Sequence, residues 1–111
     1  MELTYKSEHL RNICENPDFN REVQKKYGME VAKKLPLRIS QLKAYSSIND
    51  IPVTKPFRRH KLEGNRKEQF AVNITDQYRI IFKQNENKEI VINDLREIKK
   101  IEIMEVSKHY E

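Results

Sequence analysis

Cysteine is nearly absent from the sequence, because Cys14 is the single example among 111 residues. An internal disulfide is therefore excluded, and the lone thiol agrees with a reducing compartment. The three histidines and the cysteine are widely spaced. Their spacing matches no zinc-ligand pattern, so we predict neither a metal nor another cofactor.

Long hydrophobic runs are also missing. No apolar stretch approaches the length of a membrane span, and the opening MELTYKSEHL lacks the apolar segment of a secretory signal. We therefore expect a cytoplasmic protein with no membrane partner. Its 37% hydrophobic content suffices for one modest core, so residues 1–111 are predicted to form a single domain. Charged residues make up 35%, but both signs occur and the apolar residues are periodic, which argues against disorder.

Positive charge is concentrated in residues 55–67, KPFRRHKLEGNRK, which we call the basic segment. It contains six lysines and arginines and one acidic residue, Glu63, so its net charge equals the +5 of the whole chain. Concentrated positive charge attracts polyanions, and nucleic acid is the first candidate. Charge alone is equally compatible with a solvated loop.

Apolar residues spaced three or four apart predict two helices after a short first strand in ELTYK. Ser7 is a suitable cap for the first helix, Glu8–Glu15. One apolar stripe then runs along residues 19–45 and predicts a long second helix. Gly28 weakens this helix, and Pro36 is expected to kink it into two segments that share one buried face.

The apolar period changes from helical to alternating after a connector at residues 46–56. Two strands, Phe70–Ile74 and Tyr78–Phe82, are joined by a three-residue loop. This loop length pairs Asn73 with Arg79 and gathers the large apolar side chains on one face, whereas a two-residue loop would mix the faces.

Two further strands complete the predicted sheet. A second hairpin turns at Asn85–Lys88 and leads into Glu89–Asn93, and a last strand around Ile101–Val106 is apolar enough for a central position. The predicted fold class is α+β. Two N-terminal helices pack on one face of a mostly antiparallel sheet of about five strands.

Arg79 interrupts the apolar run QYRIIF. In the predicted register it lies on the sheet face opposite the core, beside Asn73 and Ala71. We call this the second face. The helices of so short a chain cannot cover both faces, so we expect the second face to be open and Arg79 to be accessible.

The second face could assemble groups that cleave RNA. His60 lies where the chain enters the sheet, and His109 and Tyr110 follow the last strand. One imidazole can take a proton from a ribose 2′-hydroxyl, the other can protonate the leaving 5′-oxygen, and Arg79 can stabilise the transition state. The flanking RNA backbone would be held by basic side chains: Arg58, Arg59, Lys61, Arg66 and Lys67. Asn73 and Tyr110 are further predicted RNA contacts. Each of these residues also has a purely structural interpretation, such as a surface histidine or an ion pair of Arg79 with Asp94.

The segment HKLEGNRKEQFAVNITDQYRIIF, residues 60–82, resembles the HigB-type toxins of the RelE superfamily of bacterial toxin–antitoxin systems. Their shared pattern is a His-Lys pair before Leu-x-Gly, an aromatic residue six positions after the glycine, alternating apolar residues, and an aromatic-Arg pair. The residues that match are His60, Lys61, Leu62, Gly64, Phe70, Tyr78 and Arg79. The opening LTYKSEHLRNI and the closing IEIMEVSKHYE are similar to the family's ends.

The resemblance implies a compact microbial RNase-like fold and a ribosome-dependent mRNA interferase. Cleavage would proceed without metal, by attack of the 2′-hydroxyl. His60, Lys61, Arg79 and His109 match positions that the family uses for catalysis or RNA contact. The implied partners are the ribosome with its mRNA and a HigA-like helix-turn-helix antitoxin, which alone would bring the toxin to operator DNA.

Asn73 departs from the family pattern, because many relatives have a second arginine at this position. Asparagine can donate a hydrogen bond to an RNA phosphate but carries no charge. Two alternatives therefore stay open. One is a non-enzymatic, ParE-like inhibitor of DNA gyrase on the same fold, and the other is a basic nucleic-acid-binding module.

Overall fold

The computed structural model describes residues 1–66, 68–85 and 93–108. In these residues the helices are α1 (Glu8–Glu15), α2 (Asn20–Tyr27) and α3 (Met29–Ala44). The strands are β1 (Glu2–Tyr5), β2 (His60–Lys61), β3 (Gln69–Asn73), β4 (Tyr78–Gln84) and β5 (Lys100–Lys108). They form one sheet in the order β1-β5-β4-β3-β2. The β1–β5 pair is parallel and the others are antiparallel.

The hydrophobic core lies between the three helices and one face of the sheet. Leu35, Ile39 and Leu42 from α3 pack in one cluster with Ile80 and Phe82 from β4. The spacing of the α3 residues places them on one side of the helix, so burial of this side fixes the helix against the sheet. The predicted α+β fold class is confirmed. None of the helices in the described ranges is long and apolar enough to cross a membrane.

The predicted β3–β4 register is also confirmed. Asn73 pairs with Arg79, and Phe70 pairs with Phe82, with the two rings stacked at a centroid distance of 5.7 Å. The last strand is interior as predicted, because β5 lies between β1 and β4. Residues 86–92 of the predicted second hairpin and following strand lie outside the described ranges.

The long helix is divided at Gly28 and not at Pro36, so that part of the prediction is wrong. Gly28 has φ +96°, a conformation that favours glycine, and it separates α2 from α3. Pro36 lies inside α3 and removes the hydrogen bond that the Ala32 carbonyl would otherwise accept. Asn20 from α2 replaces it, because its Nδ2 lies 3.3 Å from the Ala32 oxygen.

Candidate active site

Arg79 lies on the second face, near the start of the central strand β4. It is half-buried, lies outside the hydrophobic core, and pairs with Asn73 on one side and Ser107 on the other. Its Nε lies 3.4 Å from the hydroxyl oxygen of Ser107. The strands therefore present a guanidinium toward solvent from a rigid position.

His60 lies in the neighbouring row of the same face. It pairs with Ala71, which pairs with Ile81, which in turn pairs with Glu105. Adjacent strands are about 4.8 Å apart, so β2 and β4 are separated by roughly 10 Å. His60 and Arg79 are also offset by two residues along the strands, so their Cα atoms lie roughly 12 Å apart, with Ala71 and Asn73 of β3 between them.

The second face is less open than predicted. Ala71 and Ile81 have 0% exposure and Asn73 has 9%. Arg66, in the turn Gly64–Arg66, forms an ion pair with Glu105, the cross-strand partner of Ile81. The Arg66 side chain therefore extends from this turn over the second face to Glu105 on β5. The prediction of an open face is therefore wrong at its centre, although it holds for the half-buried Arg79 and the exposed His60.

The basic segment is fixed to the body of the protein at several points. Phe57 is buried, and its carbonyl accepts a 2.7 Å hydrogen bond from the backbone amide of Asn73. The Nε of Arg59 donates to the Ile51 carbonyl at 2.9 Å, and burial lowers the pKa of the Arg59 guanidinium. Arg58 is exposed and has φ +48°, a sterically costly conformation for a residue with a Cβ. The segment is thus a braced loop with cations on its outer side.

The ring orientation of His60 is set by its own chain. Its Nδ1 lies 2.8 Å from the carbonyl oxygen of Arg58. A carbonyl oxygen only accepts hydrogen bonds, so Nδ1 carries the hydrogen and the neutral imidazole has its lone pair on Nε2. This is the tautomer in which Nε2 can act as a base.

The structure describes seven of the ten predicted site residues. His60 and Lys61 are exposed at the edge strand β2, where their alternate directions place them on opposite faces. Lys67, His109 and Tyr110 lie outside the described ranges. The proximity of His60 and His109 consequently stays a prediction.

Two notable side chains escaped the sequence analysis. Glu105 lies on the second face and forms an ion pair with Arg66. A single glutamate in an apolar strand does not indicate such a pair in the sequence. Arg38 is 6% exposed on α3. Its spacing could have revealed it, because it lies three residues after Leu35 and four before Leu42, on the buried side of the helix. In the described part of the chain, no cluster of three His, Cys, Asp or Glu residues could hold a metal ion.

Comparison with protein-family models identifies the family of this chain. The HigB-like toxin model, described as the RelE-like toxin of the type II toxin–antitoxin system HigB, matches residues 3–97. The chain belongs to this family. The resemblance in residues 60–82 is thereby confirmed, and the protein is a type II toxin. No curated protein matches the chain.

Solved structures of other toxins share the fold of this HigB-like toxin. A YoeB/ParE toxin from Agrobacterium tumefaciens superposes with a TM-score of 0.54 at 14% identity, covering 99% of this chain and 100% of that one. YafQ from E. coli gives 0.55 at 15% identity, with 96% and 91% covered. The YoeB–YefM complex from Staphylococcus aureus gives 0.54 at 14% identity, with 99% and 98% covered. At such low identity these likenesses show the fold alone.

Proposed function

We propose that this HigB-like toxin is an endoribonuclease that cleaves mRNA on the ribosome and so inhibits translation. The observation that carries the proposal is the position of Arg79. Its guanidinium is held on the second face, one row away from His60 and next to the braced basic segment. Cations near a histidine of defined tautomer suit the cleavage of a phosphodiester without a bound cofactor.

In the proposed mechanism Nε2 of His60 takes the proton from the 2′-hydroxyl. The 2′-oxygen then bonds to phosphorus, the bond from phosphorus to the 5′-oxygen breaks, and a 2′,3′-cyclic phosphate forms. His109 donates the proton to the leaving 5′-oxygen. Arg79 stabilises the charge that builds up on the phosphate oxygens, because its planar fork can donate to two of them at once.

The remaining cations would hold the RNA on either side of the cleaved bond. Arg58 is exposed near His60 and is available for phosphate contacts, whereas Lys61 is exposed on the opposite face of β2 and would contact RNA that passes around this edge strand. We also assign such contacts to Lys67, and stacking on a base to Tyr110. Among the proposed contacts that the structure describes, Arg59 and Asn73 are less accessible, since the Arg59 side chain is hydrogen-bonded to the Ile51 carbonyl and Asn73 is 9% exposed.

The protein partner in this proposal is a helix-turn-helix antitoxin of the HigA type. Membership of a type II toxin family supports an antitoxin partner. YoeB from Staphylococcus aureus, whose structure shows the same fold, was solved in complex with YefM. Contact with operator DNA would then be made only by the antitoxin.

Induction of the toxin in cells tests the proposal directly. We expect translation to stop and new mRNA 5′ ends to appear at fixed positions within codons. DNA damage with intact mRNA would instead indicate a gyrase inhibitor, which the uncharged Asn73 beside Arg79 would permit. Growth without any change would indicate a nucleic-acid-binding module.

Replacement of Glu105 is expected to strengthen RNA binding. Glu105 neutralises Arg66 in the free protein, so Glu105→Gln releases one cation for phosphate. Each added phosphate contact steepens the dependence of log affinity on log salt by about 0.7 for single strands. Titration of a short RNA at several salt concentrations measures this slope. Arg66→Gln in the same background should abolish the gain, and an unchanged slope in Glu105→Gln would show that Arg66 does not reach RNA.

A further inference from the structure

Arg38 is a buried arginine whose surroundings suit an apolar side chain better. It is 6% exposed, and among the described residues no carboxylate pairs with it. Its Nη1 donates to Gln41 Oε1 at 2.7 Å and its Nη2 lies 3.4 Å from the Ile74 carbonyl oxygen. Its Nε is buried and has no hydrogen-bond partner among the residues that the structure describes. Such burial of a cation opposes folding, so a role other than core stability is needed to explain it.

The contacts of Arg38 lead to Asn73 through two intermediate residues, Phe57 and Ile74. The guanidinium carbon lies 4.7 Å from the centroid of the Phe57 ring, and Ile74 directly follows Asn73. Phe57 in turn accepts the hydrogen bond from the Asn73 amide. Arg38, Phe57, Asn73 and Ile74 therefore form a closed ring of contacts.

This ring connects the helical layer to the candidate active site. Asn73 is the cross-strand partner of Arg79, and Phe57 is followed at once by Arg58, Arg59 and His60. We infer that Arg38 is a positioning residue, which holds the end of β3 and the start of the basic segment in register so that His60 and Arg79 face one substrate. The inference rests on the proposed nuclease function. Arg38 itself lies in the core and touches no RNA.

The test replaces Arg38 by methionine, an unbranched apolar side chain that fills the space of the arginine stem and removes its charge and donors. We expect an unchanged or higher Tm, because a costly buried cation is removed. Hydrogen exchange of the Asn73 backbone amide should become about tenfold faster, because the contacts among Arg38, Phe57, Asn73 and Ile74 are weakened. Ribosome-dependent cleavage per folded molecule should fall about ten- to hundredfold, since small misplacements of reacting groups are costly. Arg21→Met, on the exposed side of α2, is the matched control and should alter none of these values.

A double variant separates positioning from a general effect. Because Arg38 is inferred to position Arg79 as well as His60, Arg38→Met added to Arg79→Ala should cause a smaller loss of cleavage than Arg38→Met causes alone. Independent, additive losses would overturn the inference, and so would unchanged exchange of the Asn73 amide in Arg38→Met. Full cleavage by Arg79→Ala would overturn the proposed function, while the exchange result would still decide whether Arg38 holds Asn73.

A second variant keeps the inference testable should Arg38→Met fail to fold. Phe57→Leu removes the ring face that the guanidinium covers and leaves Arg38 in place. It should also speed exchange at Asn73 and reduce cleavage. Retained protection of that amide together with full cleavage would overturn the inference.

Discussion

Replacement of Arg79 by alanine is expected to reduce mRNA cleavage about 10²–10³-fold, the usual effect of removing a group that stabilises transition-state charge. Folding should survive, because Arg79 is half-buried and lies outside the hydrophobic core. The hydrogen bond described for its side chain, to Ser107, is 3.4 Å long and contributes little. Single-turnover cleavage of ribosome-bound mRNA measures the rate, and thermal unfolding measures stability.

Lys83→Ala is the matched control for Arg79→Ala. Lys83 lies four residues further along β4, on the same face, and its Nζ is 3.7 Å from Glu102. Its loss removes the same charge from the same strand, and we expect cleavage to change by no more than about twofold, as for other surface positions. Arg79→Lys should recover part of the rate, because lysine restores the charge without the planar fork. Unaltered cleavage by Arg79→Ala, or its failure to fold, would show that Arg79 is structural.

The sheet could be predicted from the sequence because its pattern admits one register. Alternation places Phe70 and Phe82 on one face only when the loop between β3 and β4 has three residues, and the structure has this pairing. The same register placed Arg79 opposite Asn73. Local periodicity thus determined which residues share the candidate site.

The helix break could not be predicted because it depends on a tertiary contact. Pro36 is the stronger helix breaker of the two candidates by local propensity. The carbonyl that it leaves free, that of Ala32, is satisfied by Asn20 from the preceding helix. Gly28 therefore became the boundary, since its positive φ turns the chain so that α2 and α3 pack together.

The partial burial of the second face depends on contacts between side chains that are far apart in the sequence, and such contacts could not be predicted. Arg66 and Glu105 are 39 residues apart, and either could have been a solvated charge. Arg38 is similar, because its described partners are the Phe57 ring, the Gln41 side chain and the Ile74 carbonyl, and none of them is a carboxylate. The position of a charge on a helix or strand can be read from its period. Which group that charged side chain contacts is determined only by the tertiary fold.

Replacement of His60 by alanine is expected to lower cleavage about 10²-fold and to change its pH dependence. The Arg58 carbonyl holds the hydrogen on Nδ1, so the neutral ring offers Nε2 as the base, and protonation of Nε2 stops the reaction. The wild-type rate should therefore decline toward acid pH, and His60→Ala should lack this decline. Imidazole added to the solution should restore part of the rate by supplying the missing base.

His9→Ala is the control for His60→Ala, because His9 is an exposed histidine on α1 whose Nε2 contacts Glu22 at 3.0 Å, away from the second face. It should leave both the rate and the pH profile unchanged. A His60→Ala variant that is slow but keeps the acid decline would assign the base to another group and leave His60 an RNA contact. A variant with the full rate would remove His60 from the mechanism. The base is the decisive assignment, since it separates a nuclease from a protein of the same fold and charge that only binds.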